Sequence, residues 1–402
     1  MKRNIRLIIS LIFLALALGI VYMYSSLFKD LAEPLTSTGF IWYFVIAFGI
    51  FILSYLIPVI VSARNSNIQN KKISTENLNE DTKFEMIYTE IRDKYSEDLA
   101  KIRKGLRPVT IIATALGVVV AGIFIWMKVA ETNLEKHLEF IIENETLLKV
   151  GPVVAVLLFF VVFFFYSNKK YDYDKKYKTG VVTDIVNKAN NGLTYSMKTY
   201  EVGNKVLESY KQAAFDKHYF NRNSTEDYIS GMLTDKLSVS ISELDLDHKI
   251  GSGKNSHTVD VFEGLVAHAS GIDEFKGTIK ILNNNNKMKN KNTEGLTEVK
   301  MDSTEFENLF NVYSDNAVLT MRVLTSDIME KMVEFERRLG VHFETFVSGK
   351  NIVMRFFTME LFEPAIFNES KEKDRVRAYY EIINLITDIS KELDKTISEV
   401  EV

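Results

Sequence analysis

Four stretches of about twenty residues are almost free of charge, and they dominate the hydropathy pattern of the first 166 residues: 5–24, broken only by Arg6 near its start, 39–61, 108–127 and 150–166. A helix rises about 1.5 Å per residue and the hydrocarbon layer is about 30 Å thick, so each run suffices for one crossing. The pattern predicts four transmembrane helices in two pairs. Between the pairs the period changes. Phe84, Ile87, Tyr88, Ile91, Tyr95, Leu99 and Ile102 recur at the spacing of one helical face, with Thr82 and Glu85 as a capping box, and this predicts a cytoplasmic amphipathic helix running into Pro108.

Beyond Tyr166 the pattern is that of a folded domain. Residues 173–190 and 197–215 read as helices divided by Asn190-Asn191-Gly192. Leu237, Val239 and Ile241 then alternate with serines, and the alternation moves out of phase at Leu244 and Leu246, which predicts a half-buried strand with a bulge near Ser242 and Glu243. Further strands are expected at 258–267, 277–282 and 316–325, with the polar run 283–292 as a loop. Asp302 and Glu305 cap a short helix to Phe310. Ser326 or Asp327 opens a helix closed by Gly340, and 341–347 with 352–357 form a hairpin. A last helix places Val376, Tyr379, Ile383, Ile386, Leu393 and Ile397 on one face. The fold class expected is α+β: a four-helix transmembrane region plus a cytosolic domain with a mainly antiparallel sheet flanked by helices. The expected divisions are 1–62, 63–107, 108–166 and 167–402.

Charge orients this arrangement. Lys2, Arg3 and Arg6 open the chain, ten Lys and Arg lie in 62–107, and five Lys follow the last span, whereas 25–38 holds only Lys29. Basic loops stay inside, so both termini are expected in the cytoplasm of a bacterial inner (plasma) membrane; the abundance of Lys, Asn and Ile fits an AT-rich bacterial genome. The first run begins as a secretory signal does, but no small-residue cleavage site follows in 21–29, so it is read as a retained span. The absence of cysteine removes disulfides, thiol catalysis and thiolate metal sites. The first 179 residues carry 22 Lys and Arg against 17 Asp and Glu, the remainder 27 against 36. An acidic soluble half is the wrong sign for gripping phosphate backbones, so nucleic acid is not expected as a partner.

The motifs that suggest chemistry do not complete a site. Gly251-Ser252-Gly253-Lys254-Asn255 lacks the first glycine and the hydroxyl of a P-loop and is followed by a strand; the same Ser-Gly-Lys-Asn recurs at 348–351 between two strands, where it reads as a turn. His248, His257 and His268, with Asp245, Asp247 and Asp260 nearby, have no metal-ligand spacing, and His137 and His342 read as structural. The pairs Glu226-Asp227 and Glu369 to Glu372 place carboxylates that point apart. No catalytic, cofactor-binding or metal residue is assigned, no cofactor is expected, and the chain is read as not an enzyme.

One resemblance spans residues 81–394. The amphipathic helix before a pair of spans, Thr225 to Gly231 (Thr-Glu-Asp-Tyr-Ile-Ser-Gly), Ser242-Glu243, Val261 to Leu265, Phe275 with Gly277, Phe306 to Ser314, and Leu361-Phe362-Glu363-Pro364 follow one another in an order that resembles a bacterial membrane-protein family known as domain of unknown function thirty-one thirty-seven. The resemblance implies a membrane-anchored cytosolic module, brings no catalytic residues, and implies LemA-type membrane proteins as partners. This chain departs from it by the extra pair of spans within 5–61. The function expected is a multi-pass membrane protein with a non-enzymatic cytosolic interaction or scaffold domain, held in the lipid bilayer as a homo-oligomer or with a membrane protein partner. The alternative is a small-molecule channel or transporter component gated by that domain, for which the spans offer few polar groups beyond Ser54 and Thr114.

Overall fold

The computed structural model describes residues 82–132, 145–189, 192–197, 200–217, 220–251, 256–284, 291–358, 361–367 and 372–400. The first expected pair of spans, His137 and the Gly-Lys loop at 252–255 lie outside them. The amphipathic helix and the third span form a single helix, α1 (Thr82–Thr132), which carries Pro108 inside it. Its period persists into the apolar run: Leu106, Thr110, Ala113, Gly117 and Val120 are buried, while Ile111, Ile112, Val118 and Val119 are exposed. In α2 (Glu145–Tyr177), Val156, Phe159, Phe163 and Tyr166 are buried, and Val154, Leu158, Val161, Phe164 and Phe165 face outward. Among the described residues, two helices, Lys83–Gly122 and Val154–Ala189, are long and apolar enough to cross a membrane. An outer surface this rich in aliphatic and aromatic side chains suits lipid and not water.

Contacts divide the described residues into two compact units, those within 114–158 and those within 82–113 and 159–400. Within the second, α2 does not stop at its last α-helical residue. It passes through a π-helical turn, Lys178–Val182, into α3 (Thr183–Ala189). The first half of α1 runs antiparallel beside this continuous rod. Lys169 Nζ donates to Gly105 O at 3.3 Å, Arg103 Nε to Tyr173 OH at 2.8 Å, and Tyr95 OH to Asp184 Oδ2 at 3.0 Å. Ion pairs Lys176–Asp98 at 2.9 Å and Lys188–Glu90 at 2.7 Å complete the ladder. Gly180 is the point of closest approach: a Cβ there would lie 2.7 Å from Tyr95 Cε1. Gly180→Ala must displace that ring, and it is expected to destabilise the domain by about 1–3 kcal/mol, the range of core overpacking, read as a lowered midpoint in thermal unfolding.

The strands are β1 (Leu193–Ser196), β2 (Arg222–Met232), β3 (Ser238–Ile250), β4 (His257–Asn283), β5 (Thr297–Val299), β6 (Phe310–Ser314) and β7 (Phe343–Phe356). They form one antiparallel sheet in the order β1-β2-β3-β4-β6-β5, with β7 also paired to β4. β4 has two arms. Its first pairs with β3 and with residues 351–356, its second with β6 and with residues 345–348. β7 doubles back between them: Phe357 N donates to His342 O at 3.0 Å and the rings of Phe343 and Phe356 stack at 5.4 Å. A straight strand of 14 residues would hold its ends about 45 Å apart. The second Ser-Gly-Lys-Asn is therefore a hairpin turn, with Gly349 at φ 53° supplying the corner that a side chain disfavours.

Helices cover both faces. On one, Val206, Leu207 and Tyr210 of α4 (Tyr200–Ala213) pack with Leu244, Leu246, Phe262, Val266, Leu282, Phe346 and Val353. On the other, Phe335 of α7 (Ser326–Leu339) meets Phe343 and Phe356 at 5.3 and 5.9 Å, and α8 (Glu372–Val400) packs on α7, α3 and β4. This corrects the expected bulge in β3. Val239 and Ile241 are buried on one face and Leu244 and Leu246 on the other, so the phase change marks a change of the covered face. The surplus residue is Asp227, opposite on β2.

Three other expectations change. A strand, β1, follows the expected divider 190–192 and fills 193–196, where no element was expected. The segment expected as strand 316–325 is α6 (Ala317–Val323), capped by Asn316 Oδ1 accepting from Leu319 N at 3.2 Å. Its Thr320 and Val323 are buried while Val318 and Met321 are exposed, a helical period too short to separate from alternation in the sequence. The caps of α5 (Thr304–Leu309) and α7 are Ser303 and Thr325, each one residue or more from those expected, and Gly340 closes α7 at φ 63°.

Candidate functional site

Three of the motifs separated along the chain meet at one place, beneath the rod that leads from the apolar segment of α2. The π-turn rotates Lys178 inward until only 6% of its side chain is exposed. Its Nζ lies 2.7 Å from Asp227 Oδ2 and 2.7 Å from Glu363 Oε1. Asp227 is the surplus residue of the β2 bulge, at φ 53°, a conformation costly to a non-glycine residue. Ser242 holds the bulge by donating to Glu226 O at 2.9 Å, and Tyr195 OH donates to Asp227 Oδ1. Glu363 lies in the segment between β7 and α8, where Leu361 N donates to Glu243 Oε1 at 2.9 Å. Further back along α2, Lys170 pairs with Asp174 at 2.6 Å and approaches Glu363 at 3.6 Å.

Two ammonium groups thus face four carboxyl groups. Burial pushes Glu243 well above the usual carboxylate range, helped by the charge of Asp227. Burial would raise Glu363 too, but Lys178 and Lys170 outweigh it and hold it at about 2. Burial raises Lys178's cost of charge, yet Glu363 and Asp227 keep its pKa above the ordinary lysine value. Asp174 is pushed up to about 6 by burial, against the pull of Lys170.

The linkage has two opposite arms. Folding protonates Asp174 more readily than the unfolded chain does, so its contribution to stability grows as pH falls from about 6 towards 3.8. Glu363 contributes stability above 4.5 that disappears as pH falls towards about 2. Asp174→Asn is expected to reduce the gain on mild acidification, to which the raised Glu243 and Asp227 also contribute, while leaving the loss below pH 4.5, as read from unfolding midpoints across pH 7 to 3.

A second ionic knot lies in the core on the α4 side. Arg355, 1% exposed, donates through Nε to Glu344 Oε2 at 2.8 Å, through Nη1 to Tyr210 OH at 2.8 Å and through Nη2 to Asp216 Oδ1 at 3.0 Å. The guanidinium lies over the rings of Phe215, Phe357 and Phe262 at 4.5, 5.0 and 5.5 Å. Glu344 Oε1 also takes Lys291 at 3.0 Å and Asn283 N at 3.1 Å. Every charge is answered within the knot, which makes it a packing element.

The histidines do not converge. His248 lies opposite Val259 and His257 opposite Ile250, on one face of the β3–β4 hairpin, while Asp247 and Asp260 face each other on its other side. His268 is eleven residues along β4, under the sheet's own packing, with Nε2 2.8 Å from Asn351 Oδ1. His342 Nδ1 lies 2.9 Å from Glu336 Oε1. No group of three or more His, Asp or Glu placed to hold a metal occurs among the described residues. Of the adjacent acids, Asp227 is buried in the cluster and Glu372 pairs with Arg103 at 2.7 Å, while Glu369 lies outside the described residues.

Residues 260–395 match the model of a family described as Protein of unknown function (DUF3137). The resemblance read from the motifs holds over that part of the chain, which includes Glu363 and Arg355 and leaves Lys178, Asp227 and Glu243 before it. No curated protein matches the chain. Among solved structures, the crystal structure of the mycobacterial trehalose monomycolate transport factor A, TtfA, aligns over 46% of this chain and 97% of that one, with 10% identity and a TM-score of 0.22. A score that low carries no argument about fold or function.

Proposed function

We propose that this chain, whose residues 260–395 carry the DUF3137 match, is a multi-pass protein of a bacterial inner membrane. Both termini lie in the cytoplasm, and the α+β domain is a non-enzymatic scaffold that assembles with a second copy or a membrane protein partner, a LemA-type protein being the first to seek. The observation that carries the reading is the way the domain is tied to the helices bearing the apolar runs. Lys178 and Tyr173 of the α2 rod and Arg103 of α1 are all bonded into the segment after β7 or the start of α8: Lys178 to Glu363, Tyr173 OH to Ala365 O at 3.0 Å, and Arg103 to Glu372 at 2.7 Å. These bonds commit Lys178, Arg103 and their acid partners to holding elements together, which suits a module that positions a surface better than one that turns over a substrate. The cavity between α1 and α8 lined by Tyr88, Leu99, Val181 and Val376 measures only about 20 Å³, room for one water.

Purification in mild detergent tests the reading. The chain is expected to run as an oligomer or with a membrane protein in fixed ratio; a monomer recovered without a companion overturns it. A reporter fused after Val402 is expected to be active only inside the cell, and proteoliposomes are expected to pass small solutes at the rate of empty vesicles.

A further inference from the structure

The segment between β7 and α8 does more than supply Glu363. Among the described residues outside the apolar runs, Phe367 is the one phenylalanine that is exposed, at 56%, and Ile366 beside it is only partly covered. The backbone that carries them is fixed at the end of the apolar run. Arg107 Nε donates to Ile366 O at 3.0 Å, and Arg107 immediately precedes Pro108, where the charge-free stretch of α1 begins. On the neighbouring rod, Tyr173 OH holds Ala365 O at 3.0 Å and Lys170 approaches Glu363, seven and four residues past Tyr166, where the charge-free stretch of α2 ends. Lys104 and Lys169, both exposed, flank the same level, with Lys169 Nζ 3.3 Å from Gly105 O.

We infer that residues 361–367 form a lipid-contacting loop, with the Phe367 ring entering the cytoplasmic boundary between head groups and acyl chains while Lys104 and Lys169 meet lipid phosphates. An aromatic ring at that level transfers apolar area out of water while its polar neighbours stay hydrated, the arrangement that favours aromatic belts beside basic residues. The acyl boundary is the occupant because the loop is bonded to Arg107, one residue from the apolar run, so a ring pointing outward there meets the bilayer before it meets a soluble protein. The loop also carries Glu363, so its seat on the membrane is continuous with the buried cluster.

This inference rests on the membrane reading above, and the test separates the two. The chain has two tryptophans, Trp42 and Trp126, both within charge-free runs. In nanodiscs of phosphatidylcholine and phosphatidylglycerol with brominated acyl chains, quenching of Trp42 and Trp126 reports whether the chain spans the bilayer. Phe367→Trp in a Trp42→Phe, Trp126→Phe background then reports on the loop alone. A ring seated in the boundary sits roughly 5–10 Å deep and is expected to lose about half its emission or more to brominated lipid, with a blue-shifted maximum. Native tryptophans that are quenched, together with an unquenched and water-like signal from the Phe367→Trp variant, overturn the loop assignment and leave the spans intact. Because the chain has no cysteine, Phe367→Cys carrying a nitroxide gives a second reading: greater accessibility to oxygen than to a water-soluble nickel chelate is expected, and the reverse order overturns the assignment.

Discussion

Lys178→Met is expected to lower the stability of the α+β domain by about 3–5 kcal/mol, because it removes the cation from Asp227 and Glu363 and leaves two carboxylates facing one another beneath the rod. The methionine fills the same channel, so lost volume contributes little and the effect is electrostatic. Restoring neutrality distinguishes this cause from damaged packing. Lys178→Met combined with Asp227→Asn and Glu363→Gln is expected to recover most of the loss, since an uncharged, hydrogen-bonded cluster costs far less than an unpaired one. If the triple variant is no more stable than the single one in denaturant unfolding of the detergent-solubilised chain, the cluster is not held by charge compensation. In the proposed scaffold, the same substitution is expected to lower recovery of the partner in proportion to the fraction unfolded.

Arg355→Met is the other large effect expected. Arg355 answers Glu344 and Asp216 and fills the space between Phe215, Phe262 and Phe357. Losing it leaves Glu344 fully buried with Lys291 as its remaining ion-pair partner, and the expected cost is again about 3–5 kcal/mol. Here the rescue differs. Arg355→Met with Glu344→Gln is expected to restore stability in part, because Gln keeps an acceptor for Asn283 N, while Arg355→Lys recovers little, since an ammonium cannot serve Glu344, Tyr210 and Asp216 at once. The two knots lie on opposite faces of the sheet, so their effects are expected to add within about 0.5 kcal/mol in the double variant Lys178→Met, Arg355→Met.

The elements legible in the sequence are those whose period is long or whose punctuation is unambiguous. The face of Phe84, Ile87 and Ile91, the last helix and the Ser-Gly-Lys-Asn hairpin all appear where their spacing puts them. The short ones are not. Residues 316–325 hold apolar positions that fit either a strand or two turns of helix, and Asn316, which accepts from Leu319 N, decides the matter locally. The serine alternation of β3 reads as one face throughout, whereas the sheet is covered on opposite sides by α4 and by the helices near α8.

The candidate site is legible only in pieces. Asp227, Glu243 and Glu363 stand within the motifs that carry the family resemblance, but a carboxylate in a sequence does not announce its burial, and nothing in Tyr177-Lys178-Thr179-Gly180 signals a π-turn that brings the lysine inward. The nearest local hint is Gly180, small where the ring of Tyr95 must pass. The separation of partners by 49 residues for Lys178–Asp227 and 185 for Lys178–Glu363 puts their meeting beyond any local rule.

The π-turn also sets what kind of movement the rod can transmit. It holds more residues per turn than its α-helical neighbours, and in that winding Lys178 reaches both carboxylates. Rewinding those five residues as α-helix would turn the helix before the joint against the helix after it by about 100°, while Asp227 stays with β2 and Glu363 with the segment after β7. Torque about the long axis is therefore an input that this joint can convert into separation of the amine from its acids.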